Sequence, residues 1–300
     1  MKRLFKKLIG FIAVVVMAIS SLTFTACSGN GTTLEFTVKV YDSSVGKVVE
    51  KTMDIDLYKS VAPKTVDAIV KYAKDGYYNG MTFYIMTSFD GSSAYSSQIM
   101  FGDLSYDAVN KVLALSDTFG EKPFLDGEYK NAGYIGNNLK NEKGSIGLWR
   151  TWQKGDGDSY KTSNWSNTGK ATWYIPTSTI SDYDDSFCVF GKINLNDETT
   201  SNTWSKISAV CNNSSLTKSF VIYYTGEYTA DDAVVNNGLE FHCLPTEDFE
   251  ALSEAEKDEV FVPEVGQYVK YAKTTVKIPV RADGSGYQPS AAYVESVKVK

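Results

Sequence analysis

The sequence predicts a mainly β protein whose strands form one large domain. Short runs of alternating apolar residues recur along the chain, separated by the turn residues Gly, Asn, Asp and Ser. The 20 tyrosines and 15 phenylalanines suit strands that pack around an aromatic core. The predicted strands cover 34–41, 48–58, 146–149, 172–175, 188–193, 220–224 and 294–299.

The chain begins with a segment typical of a secretion signal, residues 1–26. Basic residues at positions 2, 3, 6 and 7 precede an apolar stretch over 8–17, which small and polar residues follow. This stretch of about ten residues is shorter than the roughly 20 that span a bilayer as a helix. We therefore expect the segment to be removed during export, with a retained transmembrane anchor as the alternative.

Cys27 follows a small residue, Ala26, in a pattern that resembles the lipidation motif of bacterial lipoproteins. Phe24 departs from that motif, which usually has Leu, Val or Ile at this position. Residues 27–33 are otherwise small and polar, which suits a short tether between lipid and domain. The pattern predicts an acylated Cys27 and an extracytoplasmic protein anchored to a membrane of the cell envelope.

The charge balance is acidic and argues against a nucleic-acid partner. The whole chain has 30 basic and 36 acidic side chains, a formal charge of −6. Loss of residues 1–26 removes four basic ones, which leaves 26 against 36 and a charge of −10. Such a chain is repelled by phosphate backbones and by anionic lipid, so membrane attachment would depend on the acyl chains on Cys27.

Two helices are predicted within the domain at 34–300. The first covers 62–76, where proline stands in the first turn and apolar residues recur on one face. The second covers 246–260, where Ser and Glu at 253 and 256 have the spacing of a capping box. Residues 194–290 are first rich in Asn, Ser and Thr and then acidic, which predicts an insertion or peripheral excursion.

Five sequence landmarks resemble the cyclophilin family and occur in that family's order. The first landmark combines Ala-Pro-Lys-Thr-Val at 62–66 with Tyr-Tyr-Asn-Gly at 77–80, which match the family's first helix and the turn that follows. The other landmarks are the segments at 99–103, 143–148, 167–175 and 183–193. The resemblance covers 34–193, and 292–300 is similar to the closing strand. It implies an eight-stranded closed β-barrel capped by helices, with 194–290 before the last strand.

The family catalyses cis–trans rotation about X-Pro peptide bonds, whose barrier of ~18–20 kcal/mol comes from amide resonance. The reaction needs no nucleophile, metal or cofactor. It needs an apolar pocket for the proline ring and a cation that stabilises the imide as resonance is lost. The resemblance therefore implies proline-containing peptides or extracytoplasmic proteins as partners, and no cofactor.

Most positions that carry chemistry in the family hold other residues in this chain. The family's arginine falls on Ile85, which cannot donate a side-chain hydrogen bond, and its glutamine falls on Met100. Its pocket histidine falls on Phe187. On this alignment the candidate peptide-binding residues are Phe83, Ile85, Met100, Trp149, Thr172, Tyr174, Tyr183 and Phe187. Residues at positions that carry the family's fold are thus retained, whereas residues at positions that carry its catalysis are replaced.

Arg150 is the candidate for the missing catalytic cation. It follows Trp149 in the segment that receives substrate in the family, and it is the nearest guanidinium on the alignment. The alternative is an exposed arginine at the end of a strand, without a role in catalysis. Trp149 and Trp152 either stack on a ligand or narrow the groove.

The remaining cysteines and the single histidine do not indicate a metal centre. Cys188, Cys211 and Cys243 show no CxxC spacing, and His242 lies in an apolar, strand-like run. A Cys211–Cys243 disulfide and buried free thiols are both compatible with this pattern. The paired acids at 184–185 lack the spacing of a calcium loop and predict a turn.

Three functions remain open on the sequence. The first is an extracytoplasmic prolyl isomerase, with turnover weakened or lost at the replaced positions. The second is a non-catalytic module that binds a peptide or envelope protein. The third is a solute-binding or adhesion protein that uses 194–290, and only the aromatic content supports it.

Overall fold

The computed structural model of the chain describes residues 31–88, 97–107, 112–115, 125–150, 169–226, 239–258, 274–280 and 291–300. The predicted signal segment, Cys27 and most of the tether lie outside these ranges. None of the described helices is long and apolar enough to cross a membrane.

Thirteen strands and four α-helices make up the described part of the chain. The strands are β1 (Thr32–Asp42), β2 (Lys47–Leu57), β3 (Ile85–Ser88), β4 (Gln98–Phe101), β5 (Leu104–Asp107), β6 (Val112–Leu115), β7 (Ser145–Arg150), β8 (Gly169–Pro176), β9 (Val189–Ile193), β10 (Thr217–Gly226), β11 (Leu239–Pro245), β12 (Thr274–Pro279) and β13 (Ala292–Val299). The helices are α1 (Pro63–Lys74), α2 (Glu198–Cys211), α3 (Thr246–Glu250) and α4 (Glu254–Asp258). The predicted mainly β fold class is confirmed.

Seven strands form the main sheet, in the order β13-β1-β2-β9-β7-β8-β4, with antiparallel neighbours. Residues 82–84 bond to both edge strands. The Phe83 N–H donates to Ala292 O at 3.2 Å, and the Tyr84 N–H donates to Met100 O at 3.1 Å. These contacts are isolated bridges and not a strand. Closure into a regular eight-stranded barrel therefore stays a prediction.

Helix α1 lies within the predicted range and buries Val66, Ile69 and Ala73 in the main core. Its first turn is capped from a distant loop by Glu128, which is 2% exposed. The Glu128 carboxylate accepts the N–H groups of Lys64 at 2.9 Å and Thr65 at 2.8 Å. A carboxylate at this end satisfies amides that have no partner within the helix and complements its dipole.

Helix α2 begins the 194–290 segment and was not predicted. The Asp197 side chain caps it by accepting the Thr200 N–H at 2.7 Å. Its buried residues include Trp204, Ile207 and Val210, which recur at helical spacing and join the main core. This part of the segment therefore packs into the main core, and the insertion at 194–290 stays a prediction.

The rest of that segment contributes to a second sheet of order β11-β10-β12-β3. Strand β3 directly follows residues 82–84, so the ladder between β12 and β3 ties this sheet to the rest of the domain. The predicted helix at 246–260 is two short helices, α3 and α4. The capping box between them is present, since Ser253 N donates to Glu256 Oε2 at 2.8 Å and Glu256 N to Ser253 Oγ at 3.3 Å.

Cys188, Cys211 and Cys243 are free thiols, so the alternative of a Cys211–Cys243 disulfide is not realised. Cys211 lies in the main core, whereas Cys243 packs against a different apolar cluster. Burial raises the pKa of both the Cys188 and the Cys243 thiol to about 12. Thiols of this kind are weak nucleophiles at neutral pH. His242 stacks on Tyr223 with 4.8 Å between ring centroids, consistent with a structural role.

Candidate functional site

A second apolar cluster lies where the sequence predicts the peptide pocket. We call it the second core, and all its members are at most 7% exposed. Five members come from residues 84–174 and three from strands β10 and β12. They are Tyr84, Met86, Met100, Leu104 and Tyr174, and then Phe220, Val276 and Ile278. The pocket position is therefore filled by the chain itself.

Tyr174 is the centre of this arrangement, and a glycine allows its position. On the ladder between β7 and β8 it lies opposite Gly147. A Cβ at Gly147 would stand 2.1 Å from the Tyr174 ring, so any larger residue would displace the ring. The Tyr174 hydroxyl donates to Asn141 Oδ1 at 2.5 Å. Burial raises the pKa of the Tyr174 phenol above its ordinary value, so the hydroxyl stays protonated.

Asn141 is in turn held by a carboxylate on the turn at 181–186. Asp184 Oδ1 accepts the Asn141 backbone N–H at 2.9 Å and its side-chain amide at 3.1 Å. Partial burial opposes ionisation of Asp184, but the hydrogen bonds from Asn141 and Lys140 outweigh it and lower the pKa of this carboxyl. The turn thus supports the buried tyrosine through one asparagine.

Four of the candidate peptide-binding residues are interior packing residues. Phe83 is 0% exposed and stacks on Phe101 in the main core, with 4.9 Å between ring centroids. Met100 and Tyr174 are 0% exposed in the second core, and Ile85 is 5% exposed. These four side chains are packed in the interior of the described chain, and their contact with a peptide stays a prediction.

The other four candidates are partly exposed, and three of them form an aromatic patch: Trp149, Tyr183 and Phe187. Phe187 stacks on Trp149 at 5.7 Å and packs on Tyr183 at 4.5 Å between ring centroids. All three rings contact the Tyr174 ring, which forms the floor of the patch. Thr172 lies on the Tyr174 side of β8, because Ala171 and Trp173 face the main core.

Arg150 lies beside the aromatic patch at the end of β7. Its Nη1 donates to the Tyr129 hydroxyl at 2.8 Å. The guanidinium carbon is 4.3 Å from the Phe187 ring centroid and 4.9 Å from that of Tyr129. These contacts place the cation at the patch, and none of them is with Ile85 or Met100. Its candidacy as the catalytic cation stays a prediction.

The arrangement offers aromatic surface and one oriented guanidinium. Within the described ranges no group of three or more His, Cys, Asp or Glu side chains could hold a metal ion. Sequence reasoning missed Tyr129, Asn141 and Gly147, which orient Arg150 and Tyr174. Only Gly147, within a strand pattern, carried a signal, since an isolated strand glycine indicates close approach of another group.

Comparison with known proteins gives one family match and several structural likenesses. The family model for cyclophilin type peptidyl-prolyl cis-trans isomerase/CLD matches residues 41–226. This match extends past the predicted 34–193 and includes α2 and β10. No curated protein matches the sequence.

Two similar solved structures are of a cyclophilin type peptidyl-prolyl cis-trans isomerase from Cryptosporidium parvum. The first is 14% identical, covers 72% of this chain and 100% of that chain, and has a TM-score of 0.37. The second, in the presence of the dipeptide Ala-Pro, is 14% identical, covers 70% of this chain and 98% of that chain, and has a TM-score of 0.33.

Proposed function

We propose that this chain, which belongs to the cyclophilin-type peptidyl-prolyl cis-trans isomerase family, is anchored by lipid in the cell envelope. Its turnover of X-Pro peptide bonds is weak or lost. Membership of the family indicates the reaction, which is isomerisation of X-Pro peptide bonds. The residues that replace the family's catalytic residues in this chain argue against efficient catalysis. Export and anchoring are supported by the residues at 1–26 and by Cys27, which follows a small residue.

The observation that carries the proposal is the filled second core. X-Pro rotation needs an apolar pocket that is open to the proline ring and a cation directed at the imide. Met100 and Tyr174 are instead fully buried, and Phe220 is packed in the same cluster. The position that aligns with the family's arginine holds Ile85, which is also buried. Both requirements of the reaction are therefore unmet at the aligned positions.

Turnover of a proline tetrapeptide by the full-length chain in detergent tests the proposal. Removing one preorganised donor typically costs about 10²–10³-fold in rate, so we expect a deficit of at least that size against an ordinary cyclophilin under the same conditions. If residual turnover depends on Arg150, Arg150→Lys should lower it and Arg150→Ala should abolish it. Turnover typical of the family would contradict the proposal.

The anchoring part is tested separately by mass spectrometry of the membrane fraction. We expect a mature chain that starts at a diacyl- or triacyl-cysteine, because two or three acyl chains give stable attachment. The Cys27→Ser variant should leave the membrane fraction. A variant that stays membrane-bound, or a mature chain that starts elsewhere, would contradict lipid anchoring.

A second candidate function is a non-catalytic module that binds a peptide or an envelope protein. The partly exposed aromatic patch favours it, because clustered aromatic side chains at a surface are typical of binding sites. This function needs the patch and not the covered second core. Peptide affinity without measurable turnover would select it over the isomerase.

A further inference from the structure

Strand β7, which carries Arg150, is irregular near its C-terminal end. Its register against β8 shifts between Leu148 and Arg150, around Trp149. Consecutive side chains of a regular strand point to opposite faces, but Trp149 and Arg150 both contact the Phe187 ring. A bulge of this kind redirects a side chain, and such bulges are common next to functional sites. The backbone therefore brings a cation and an indole to one surface.

The guanidinium is held in one orientation by three contacts. Two aromatic rings, of Tyr129 and Phe187, lie within cation–π distance of it. The Tyr129 hydroxyl accepts from Nη1, and Tyr129 is itself only 3% exposed. A planar donor that is already fixed loses little side-chain entropy when it binds a ligand. Arg150 is thus preorganised as a receptor group.

No anion from the described residues completes this arrangement. The ion pairs observed across the described ranges involve lysines, and Arg150 takes part in none of them. Its Nε is buried without a hydrogen-bond partner there. Arginine presents five N–H donors in a fork that matches a carboxylate in a bidentate geometry. One side of this fork engages Tyr129, and the other donors have no acceptor in the described part of the chain.

We propose that Arg150 binds the carboxylate of a peptide ligand, while the aromatic patch contacts an adjacent apolar side chain. The carboxylate is either a chain terminus or an Asp or Glu side chain. Local charge complementarity selects it, since this oriented guanidinium pairs with no acid among the described residues. This inference rests on the peptide-binding part of the proposed function.

Three acetylated peptides test the inference by calorimetric titration of the full-length chain in detergent at pH 7. They are acetyl-Ala-Ala-Pro-Phe as the free acid, the same peptide as the amide, and acetyl-Ala-Asp-Pro-Phe amide. We expect one of the two carboxylates to raise affinity about tenfold over the neutral amide, or about 1.4 kcal/mol. The free acid reports a terminal carboxylate, and the aspartate peptide reports a side chain.

The preference should depend on the guanidinium and not on positive charge in general. Arg150→Gln should reduce the ratio of carboxylate-peptide affinity to amide-peptide affinity to about one. Arg150→Lys should lower this ratio by about threefold or more, because an ammonium cannot make the bidentate contact. Lys130→Gln removes a positive charge from the loop that carries Tyr129, where Lys130 pairs with Asp185 at 2.8 Å, and should leave the ratio unchanged. Thermal unfolding of each variant verifies folding, and Arg150→Lys decides if Arg150→Gln does not fold.

Equal affinity of the wild type for all three peptides overturns the inference, as does an unchanged ratio in the folded Arg150 variants. The turnover assay remains independent of this result. Family-typical turnover with a tenfold carboxylate preference would contradict the proposed loss of catalysis and leave the carboxylate site standing. Weak turnover without any preference for a carboxylate would support the proposed loss of catalysis and overturn the carboxylate site.

Discussion

The second core and the aromatic patch meet at the Tyr174 ring, and they differ in what covers them. Strands β10 and β12 bring Phe220, Val276 and Ile278 onto the second core and leave it fully buried. Nothing comparable buries the patch among the described residues, where three aromatic rings stay partly exposed beside a guanidinium. Among the candidate peptide-binding residues, Met100 and Tyr174 are thus interior packing residues, whereas the three patch rings are partly exposed. A search for ligands should begin at the patch.

The largest expected effect comes from the same truncation made on each side. Phe220→Ala removes a buried ring from the second core and should lower the free energy of unfolding by about 3–5 kcal/mol. Phe187→Ala at the partly exposed patch should cost about 1 kcal/mol, mainly through lost ring contacts. Urea unfolding of both variants measures the difference. Similar losses in the two variants would show that the patch is as tightly packed as the second core.

A smaller effect is expected from removing a single hydroxyl on each side. Tyr174→Phe leaves Asn141 Oδ1 buried without its donor and should cost about 1–3 kcal/mol. Tyr183→Phe should change stability by no more than about 0.5 kcal/mol, because water can replace a hydroxyl's partners at a partly exposed position. Thermal or urea unfolding of the two variants provides the comparison. A neutral Tyr174→Phe would mean that the Asn141 contact does not stabilise the fold.

The smallest expected effect concerns Asp184, which links the turn of the patch to Asn141 under Tyr174. Because its pKa is lower in the folded chain than the ordinary 3.8, its contribution to stability is full above that pH. The contribution is lost as the pH falls through the lower, folded pKa. Asp184→Asn should therefore flatten the loss of stability on acidification below about pH 4. Unfolding curves between pH 7 and pH 2 measure the slope, and an unchanged slope would contradict this role.

The sequence predicted the strands of the main sheet well, because alternation and turn residues are local signals. All seven predicted strands are present, with differences of one to three residues at most ends. Six of them belong to the main sheet, whose strand β4 was not predicted, and the seventh is β10 of the second sheet. Helix α2 was missed because its apolar residues at 204, 207 and 210 stand in a run of Asn, Ser and Thr that favours a loop. Short strands such as β3 and β12 offer too few residues for a period to be recognised, and the neighbours that stabilise them are distant in sequence.

The candidate site was predicted less well than the fold, for a physical reason. Alignment to the family identified which positions had changed, and Arg150, Trp149 and Phe187 do lie together. It could not show that Met100 and Tyr174 are covered, because burial there depends on strands more than 40 residues away along the chain. It also could not find Tyr129, whose hydroxyl reaches Arg150 across 21 residues of sequence.

The pairing of Ile85 with Lys277 in the β3–β12 ladder makes position 85 unfavourable for a cationic side chain. A single substitution that restored arginine at position 85 would place a guanidinium at a site that is 5% exposed, opposite a residue of the same charge. An unpaired buried charge and a like-charged cross-strand pair both destabilise the fold. Arginine introduced at position 85 alone is therefore expected to destabilise the fold.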